Sequence, residues 1–248
     1  MKKTLIFLFM IFLSACSGMP QTPDGFLERD VQTEHFLIPV WESTELKNGK
    51  TIRFYIEGNG NPTPDKPMAL KLAAKDPYIN VVVLSRPCQY SQNKLCVNPD
   101  IWTREQYSPE ILREMEEIVV YYIQKYKAPD IEFVAYDGGA PIAFNLALQL
   151  GRVNKVVTVA GILDMDSYAI QNGLPAYVNA KNPMKSISQL SQIPQVHYVG
   201  GKDKETTLAM AERFVSKLQN PRMAVVRVAP DLGHYDWDKI DLDYSFKQ

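Results

Sequence analysis

The chain has 248 residues, of which 46% are hydrophobic and 22% charged, with a net charge of -1 and three cysteines. That apolar content suffices for a sizeable core and excludes a disordered chain, while the lack of a basic excess excludes nucleic acid as a partner. No internal repeat or low-complexity tract divides the sequence.

Met1-Lys2-Lys3 precedes an unbroken apolar run, Leu5 to Leu13. It is too short to span a bilayer, which takes about 20 residues, and fits the apolar region of an export signal. Leu13-Ser14-Ala15-Cys16 resembles a bacterial lipobox. The resemblance implies that residues 1–15 are a signal peptide and that Cys16 is lipidated. With Ser17 rather than Asp after the cysteine, it also implies the outer membrane, facing the periplasm. Two or more acyl chains hold a protein stably on a membrane. Residues 16–30, rich in Pro, Gly and polar side chains, read as a tether, and residues 31–248 as one globular domain. The expected partners are a membrane through the lipid anchor and a small-molecule substrate or ligand, with no cofactor and no metal.

Within the domain, His35 to Trp41 and Thr51 to Ile56 read as strands, and Asn48-Gly49 between them is a hairpin signal. The second strand runs into Glu57-Gly58-Asn59-Gly60. Pro67 to Ala74 is a short helix, and Asn80 to Leu84 a buried strand leading into Ser85-Arg86-Pro87-Cys88. Cys88 and Cys96 bracket a polar loop suited to a local disulfide in an oxidising compartment, with free thiols or a metal pair as the alternatives. Pro109 to Tyr126 is a long helix capped by Ser108, with Ile111, Met115, Ile118 and Tyr122 on its apolar face.

Next comes Ile131 to Tyr136, a strand apolar enough to be buried on both faces, then Asp137-Gly138-Gly139 and a helix with Pro141 in its first turn and Gly151 just past its last residue. Lys155 to Ala160 is another buried strand. Residues 164–191, with Tyr168 and Tyr177, form a loop-rich stretch too long for a plain connection. Gln195 to Val199 is a strand ending in Gly200-Gly201-Lys202-Asp203. A helix from Glu205 to Leu218 follows, and Ala224 to Val228 is the last strand, ending in Asp231-Leu232-Gly233-His234.

Ala135-Tyr136-Asp137-Gly138-Gly139 resembles the nucleophile elbow of α/β-hydrolases, G-x-S-x-G, with aspartate in place of serine. Gly201-Lys202-Asp203 resembles the strand end that carries the acid of that family, and Gly233-His234 the loop that carries its histidine. Glu57-Gly58-Asn59 resembles its oxyanion loop. The order Asp137, Asp203, His234 is the order in which that family places nucleophile, acid and histidine. The similarity runs from about residue 33 to 240. It implies a mostly parallel central sheet flanked by helices and a small lid over residues 164–191. It further implies a catalytic set of Asp137, Asp203 and His234, an oxyanion hole from the amides of Asn59 and Gly138, and lid tyrosines Tyr168 and Tyr177 near the substrate. The likeness is to bacterial lipoprotein members with an Arg-Pro-Cys loop.

An aspartate at the elbow favours attack on an sp³ carbon bearing a halide or an epoxide oxygen, as in haloalkane dehalogenases and epoxide hydrolases, which this arrangement resembles. It disfavours ester cleavage. The tetrahedral intermediate would expel a carboxylate, of conjugate acid pKa about 4, faster than an alkoxide whose parent acid is near water's value of about 15.7. The dehalogenase pattern places a tryptophan after the nucleophile, where this chain has Gly138. Two readings stay open: a hydrolase working through Asp137, and a catalytically inactive protein that binds a ligand or partner in the same place.

Overall fold

The computed structural model describes residues 19–59, 62, 67–91 and 93–246; the expected signal peptide and the lipidation point Cys16 lie outside them. The strands are β1 (Phe26–Gln32), β2 (Leu37–Ser43), β3 (Ile52–Ile56), β4 (Val81–Leu84), β5 (Ile131–Tyr136), β6 (Val153–Val159), β7 (Gln195–Gly200) and β8 (Ala224–Ala229). They form one sheet in the order β1-β2-β4-β3-β5-β6-β7-β8. β2 runs antiparallel to both its neighbours, and from β4 to β8 every pairing is parallel. The helices are α1 (Met68–Ala73), α2 (Pro109–Tyr126), α3 (Gly139–Leu150), α4 (Met165–Gln171), α5 (Ile187–Leu190) and α6 (Leu208–Ser216). None of them is long and apolar enough to cross a membrane, among the described residues.

Helices on both faces explain why the inner strands read as unbroken apolar runs. Alternate residues along a strand face opposite sides, so Phe54, Ile56, Val82, Leu84 and Phe133 join the core under α2, α3 and α6. Tyr55, Val81, Val83, Val134 and Val157 join a second core on the α1 side. The segment after β8 closes this second core with Ile240, Leu242, Tyr244 and Phe246. It is tied down by Lys155 Nζ on the Tyr244 carbonyl (2.6 Å) and by the Asp243 N–H on Tyr198 Oη (2.8 Å).

α2 keeps the expected bounds, with the Ser108 hydroxyl accepting the Ile111 N–H at 3.4 Å and Pro109 in the first turn. α3 ends as expected at Gly151, in the left-handed region at φ 63°. Cys88 and Cys96 form a disulfide. The stretch between β6 and β7 holds α4, a 3₁₀ turn at Pro183–Ser186 and α5, and serves as the small lid.

Two expectations are corrected. β2 and β3 do not form a hairpin, because β4 lies between them. The turn at Asn48-Gly49 exists, but the Asn80 side chain clamps it to the sheet edge through Lys47 N and O, both at 2.9 Å. A turn signal describes a few residues, whereas pairing was decided by burial of the apolar β4 between two partners. The sheet also begins inside residues 16–30, at Phe26, rather than after the supposed tether. β1 is mostly exposed and carries Glu28, Arg29 and Asp30, the composition of a protected edge strand, which resembles a linker by composition alone.

Candidate active site

Asp137 follows β5 at the start of α3 with φ 45°, a left-handed conformation that is strained for a residue with a side chain. The surroundings fix it. Its N–H donates to the Val159 carbonyl at 3.0 Å, and its carbonyl accepts the N–H groups of Ala140 and Ile162, each at 3.1 Å. The strained turn lifts the carboxylate above the carboxyl edge of the sheet, where open α/β folds place ligands.

The histidine and the acid come from neighbouring strand ends. A Cβ at Gly200 would lie 2.5 Å from the Leu232 carbonyl, and one at Gly201 would lie 2.5 Å from that of Pro230. Only this glycine pair lets the loops after β7 and β8 touch. His234 Nδ1 is then 2.9 Å from Asp203 Oδ2, and His234 Nε2 is 3.6 Å from Asp137 Oδ1. Asp203 is fixed by the N–H groups of Glu205 (2.8 Å) and Thr206 (3.0 Å) and by the Thr206 hydroxyl (2.7 Å). Tyr136 donates its hydroxyl to the His234 carbonyl at 3.0 Å, and Tyr235 sets its ring against the imidazole.

All three side chains are buried. Burial opposes charge on His234, but the hydrogen bond to Asp203 and the charges of Asp137, Asp203 and Glu205 outweigh it and raise its pKa to about 9. Burial likewise opposes charge on Asp203, and the hydrogen bond and charge of His234, with the Thr206 donors, still hold it below its ordinary value. The imidazole is therefore cationic at neutral pH.

The two oxygens of Asp137 have unlike environments. Oδ2 accepts the Asn59 N–H at 2.9 Å, so one amide expected in the oxyanion hole is engaged by the carboxylate itself. Oδ1 is buried with no hydrogen-bond partner. The other expected donor, the Gly138 N–H, makes no hydrogen bond among the described residues. A Cβ at Gly138 would lie 1.9 Å from Asn59 Oδ1, so the Asn59 side chain occupies the space that a tryptophan there would need.

Several supporting residues escaped the reading of the sequence. Buried Arg86 donates to Asn59 Oδ1 (3.2 Å) and to the Gln106 carbonyl (3.0 Å). Tyr107 donates to Asn59 Oδ1 at 2.6 Å, and Gln89 to the Gly58 carbonyl at 3.1 Å. Glu57 accepts the N–H groups of Gly58 (3.0 Å) and Ala69 (3.1 Å). Burial pushes its pKa to about 7 against the pull of those amides, and the charge of Asp137 adds to the rise. The Arg86-Pro87-Cys88 run and the Glu57-Gly58-Asn59 loop were visible as motifs, but not which of their side chains faces the elbow.

A cavity of about 530 Å³ opens beside the site, lined by Asn59, Trp102, Leu174, Pro175 and both lid tyrosines, Tyr168 and Tyr177. Tyr177 packs edge-on against Tyr107 with centroids 4.9 Å apart. Burial, and after it the charge of Asp137, pushes the Tyr177 hydroxyl up to about 12 and raises that of Tyr168 as well. The other histidines stand apart. His197 is wholly buried, accepts or donates to Thr158 at 2.9 Å, and has its pKa lowered by burial to about 3. His35 lies just before β2 and is bonded to Glu114 at 2.7 Å; with Glu34 they are the one grouping among the described residues whose ligand atoms lie close enough for a metal ion.

No protein-family model and no curated protein matches the chain. Solved structures do. The chain is similar to the esterase Pf2001 of Pyrococcus furiosus at 13% identity and a TM-score of 0.61, over 86% of this chain and 88% of that one. It is similar to an α/β serine hydrolase homologue from Coxiella burnetii at 13% identity and a TM-score of 0.58, over 88% and 93%. The third is Est1E from Butyrivibrio proteoclasticus, determined with ferulic acid bound, at 13% identity and a TM-score of 0.59 over 80% and 89%. The protein has the α/β-hydrolase fold.

Proposed function

We propose that the protein is a hydrolase in which Asp137 is the nucleophile, His234 the base and Asp203 the group that orients His234. The observation that carries this reading is the division of labour between the Asp137 oxygens: Oδ2 held by an amide, Oδ1 buried, unpaired and 3.6 Å from His234 Nε2. Oδ1 attacks a carbon bearing a halide or an epoxide oxygen; the new C–O bond forms as the carbon–leaving-group bond breaks, and the leaving group departs with the electron pair. Tyr168 or Tyr177 supplies the proton when that group is an alkoxide. Asp137 is now a neutral ester, so one of the charges that kept His234 protonated is gone, and His234 releases its proton to solvent. Neutral His234 then takes a proton from water as the water attacks Cγ of Asp137, and negative charge develops on Oδ2, where the Asn59 N–H already stands. Collapse expels the alcohol, which takes the proton back from His234.

The same proposal places the enzyme in the cell envelope, held by lipid on Cys16. The apolar run after Lys3 and the Cys88–Cys96 disulfide support that location. Metabolic labelling with a fatty acid should mark the wild type and not Cys16→Ala.

The competing reading, a silent binding protein, draws on the cationic His234 held between two carboxylates. The two are separated by intact-protein mass spectrometry of the soluble domain and its His234→Gln variant after incubation with epoxides, haloalkanes and activated esters. A mass increase mapping to Asp137 in the variant, with turnover in the wild type, establishes the covalent route. No adduct and no turnover of any class would leave the binding reading in force.

A further inference from the structure

We infer that the cavity is shaped for a ligand with an apolar, phenyl-sized body that ends in a carboxylate, and that Arg104 and Gln106 read the carboxylate. The inference deepens the reading above, since it names a substrate class for the same site.

Trp102, Tyr168, Leu174, Pro175 and Tyr177 give most of the cavity an apolar, largely aromatic wall. At about 530 Å³ it has the size usual for a small-molecule site. Such sites add a few polar groups that fix orientation. Gln106 meets the description. It lines the cavity, is only 6% exposed, and its Oε1 is buried with no hydrogen-bond partner. Buried amide oxygens are rarely left unpaired, and a carboxamide can present either its oxygen or its nitrogen. The backbone carbonyl of the same residue is engaged by Arg86, so the segment itself is fixed.

Arg104 is on the same wall, two residues earlier. Arg104 is exposed, and among the described residues its guanidinium has neither a carboxylate within 4.0 Å nor an aromatic ring beneath it, so its charge is available to a ligand in the cavity it lines. Behind the wall, buried Arg86 is another guanidinium with neutral partners only. The cavity wall thus presents the Arg104 guanidinium and the unpaired Gln106 carboxamide two residues apart, a cation and an amide that one carboxylate can engage together.

The cavity also carries its own reporter. Of the three tryptophans, Trp41 and Trp237 are sealed in the core at 1% and 0% exposure, leaving Trp102 as the one a ligand can reach. The test is a tryptophan-fluorescence titration of the soluble domain with 4-phenylbutanoate, 4-phenylbutanamide and 4-phenylbutylamine, repeated on Arg104→Gln, Gln106→Met, Asp137→Asn and, as a signal control, Trp102→Phe. The wild type should bind the acid about tenfold more tightly than the amide, as a charge-assisted hydrogen bond warrants, and the amine least. Arg104→Gln should erase the preference while leaving amide affinity within about twofold, and Gln106→Met should weaken the acid by a smaller factor. Asp137→Asn should keep the preference, so the inference can hold even if the hydrolase reading falls. Equal affinity for acid and amide in the wild type, a preference that survives Arg104→Gln, or no binding of the acid at millimolar concentration would each overturn it, even for a protein that proves to be a hydrolase.

Discussion

Two buried charge networks lie at opposite edges of the same sheet. At the amino edge, Arg53 near the start of β3 is bonded to Asp76 (2.6 Å) and Glu132 (2.8 Å), with the rings of Tyr78 and Tyr244 against its guanidinium at 4.8 and 4.5 Å. Asp76 accepts the Tyr55 hydroxyl as well, and Glu132 is joined by Lys155 at 3.3 Å. At the carboxyl edge, His234 lies between Asp203 and Asp137, one Asp137 oxygen has no hydrogen-bond partner, and Asp137 has a strained backbone. Both networks place a cation between two carboxylates. What separates the two networks is the unmet hydrogen bond and the strained backbone, not the number of charges, and the proposed reactivity of Asp137 rests on that difference.

That contrast can be broken in several places. The largest effect belongs to Asp137→Asn, which should lower turnover on the order of 10⁴-fold or more while leaving the melting temperature unchanged or higher. A melting temperature that falls by many degrees would make Asp137 a structural residue. Arg53→Leu should do the reverse. It strands the fully buried carboxylate of Asp76 and should cost about 3–5 kcal/mol in urea unfolding, with little change in the reaction of the protein that remains folded.

The pH dependence sharpens the comparison. His234 is raised to about 9 from an ordinary 6.5, so its contribution to stability is complete below about 6.5 and is lost as pH rises through 9. His234→Gln should therefore be less stable than wild type at pH 6 and level with it at pH 10; a gap that persists at pH 10 would mean that His234 holds the loop by packing rather than by charge. The smallest effect is expected for Tyr244→Phe, which keeps the ring over Arg53 and loses only the hydroxyl pair with Tyr55, at about 1 kcal/mol.

Much of this was legible in the order of residues. The bounds of α2 and β5 follow from local signals, namely a serine cap, a proline in the first turn and an apolar run, and these act within a few positions. Asp137, Asp203 and His234 were legible because each stands at a strand end beside glycines that the turn or the close approach of loops requires. The hairpin misreading arose because strand order in a parallel sheet is decided by distant partners. The supporting roles were hidden for a related reason: Arg86 and Tyr107 reach Asn59 across 27 and 48 positions and Arg86 reaches Gln106 across 20, which no spacing rule links, while nothing local says that the Glu57 side chain turns inward. β1 was hidden by its own charges, which guard the edge of a sheet and mimic a linker.

The ring of Tyr244 caps Arg53, and its hydroxyl meets Tyr55 across 189 positions of the chain. A polypeptide emerging from the ribosome cannot close that cage until Tyr244 has come through. Until then Arg53 lacks one of its two rings, and the second core lacks the strip formed by Ile240, Leu242, Tyr244 and Phe246. The second core is thus completed by a segment far along the chain from the strands it covers.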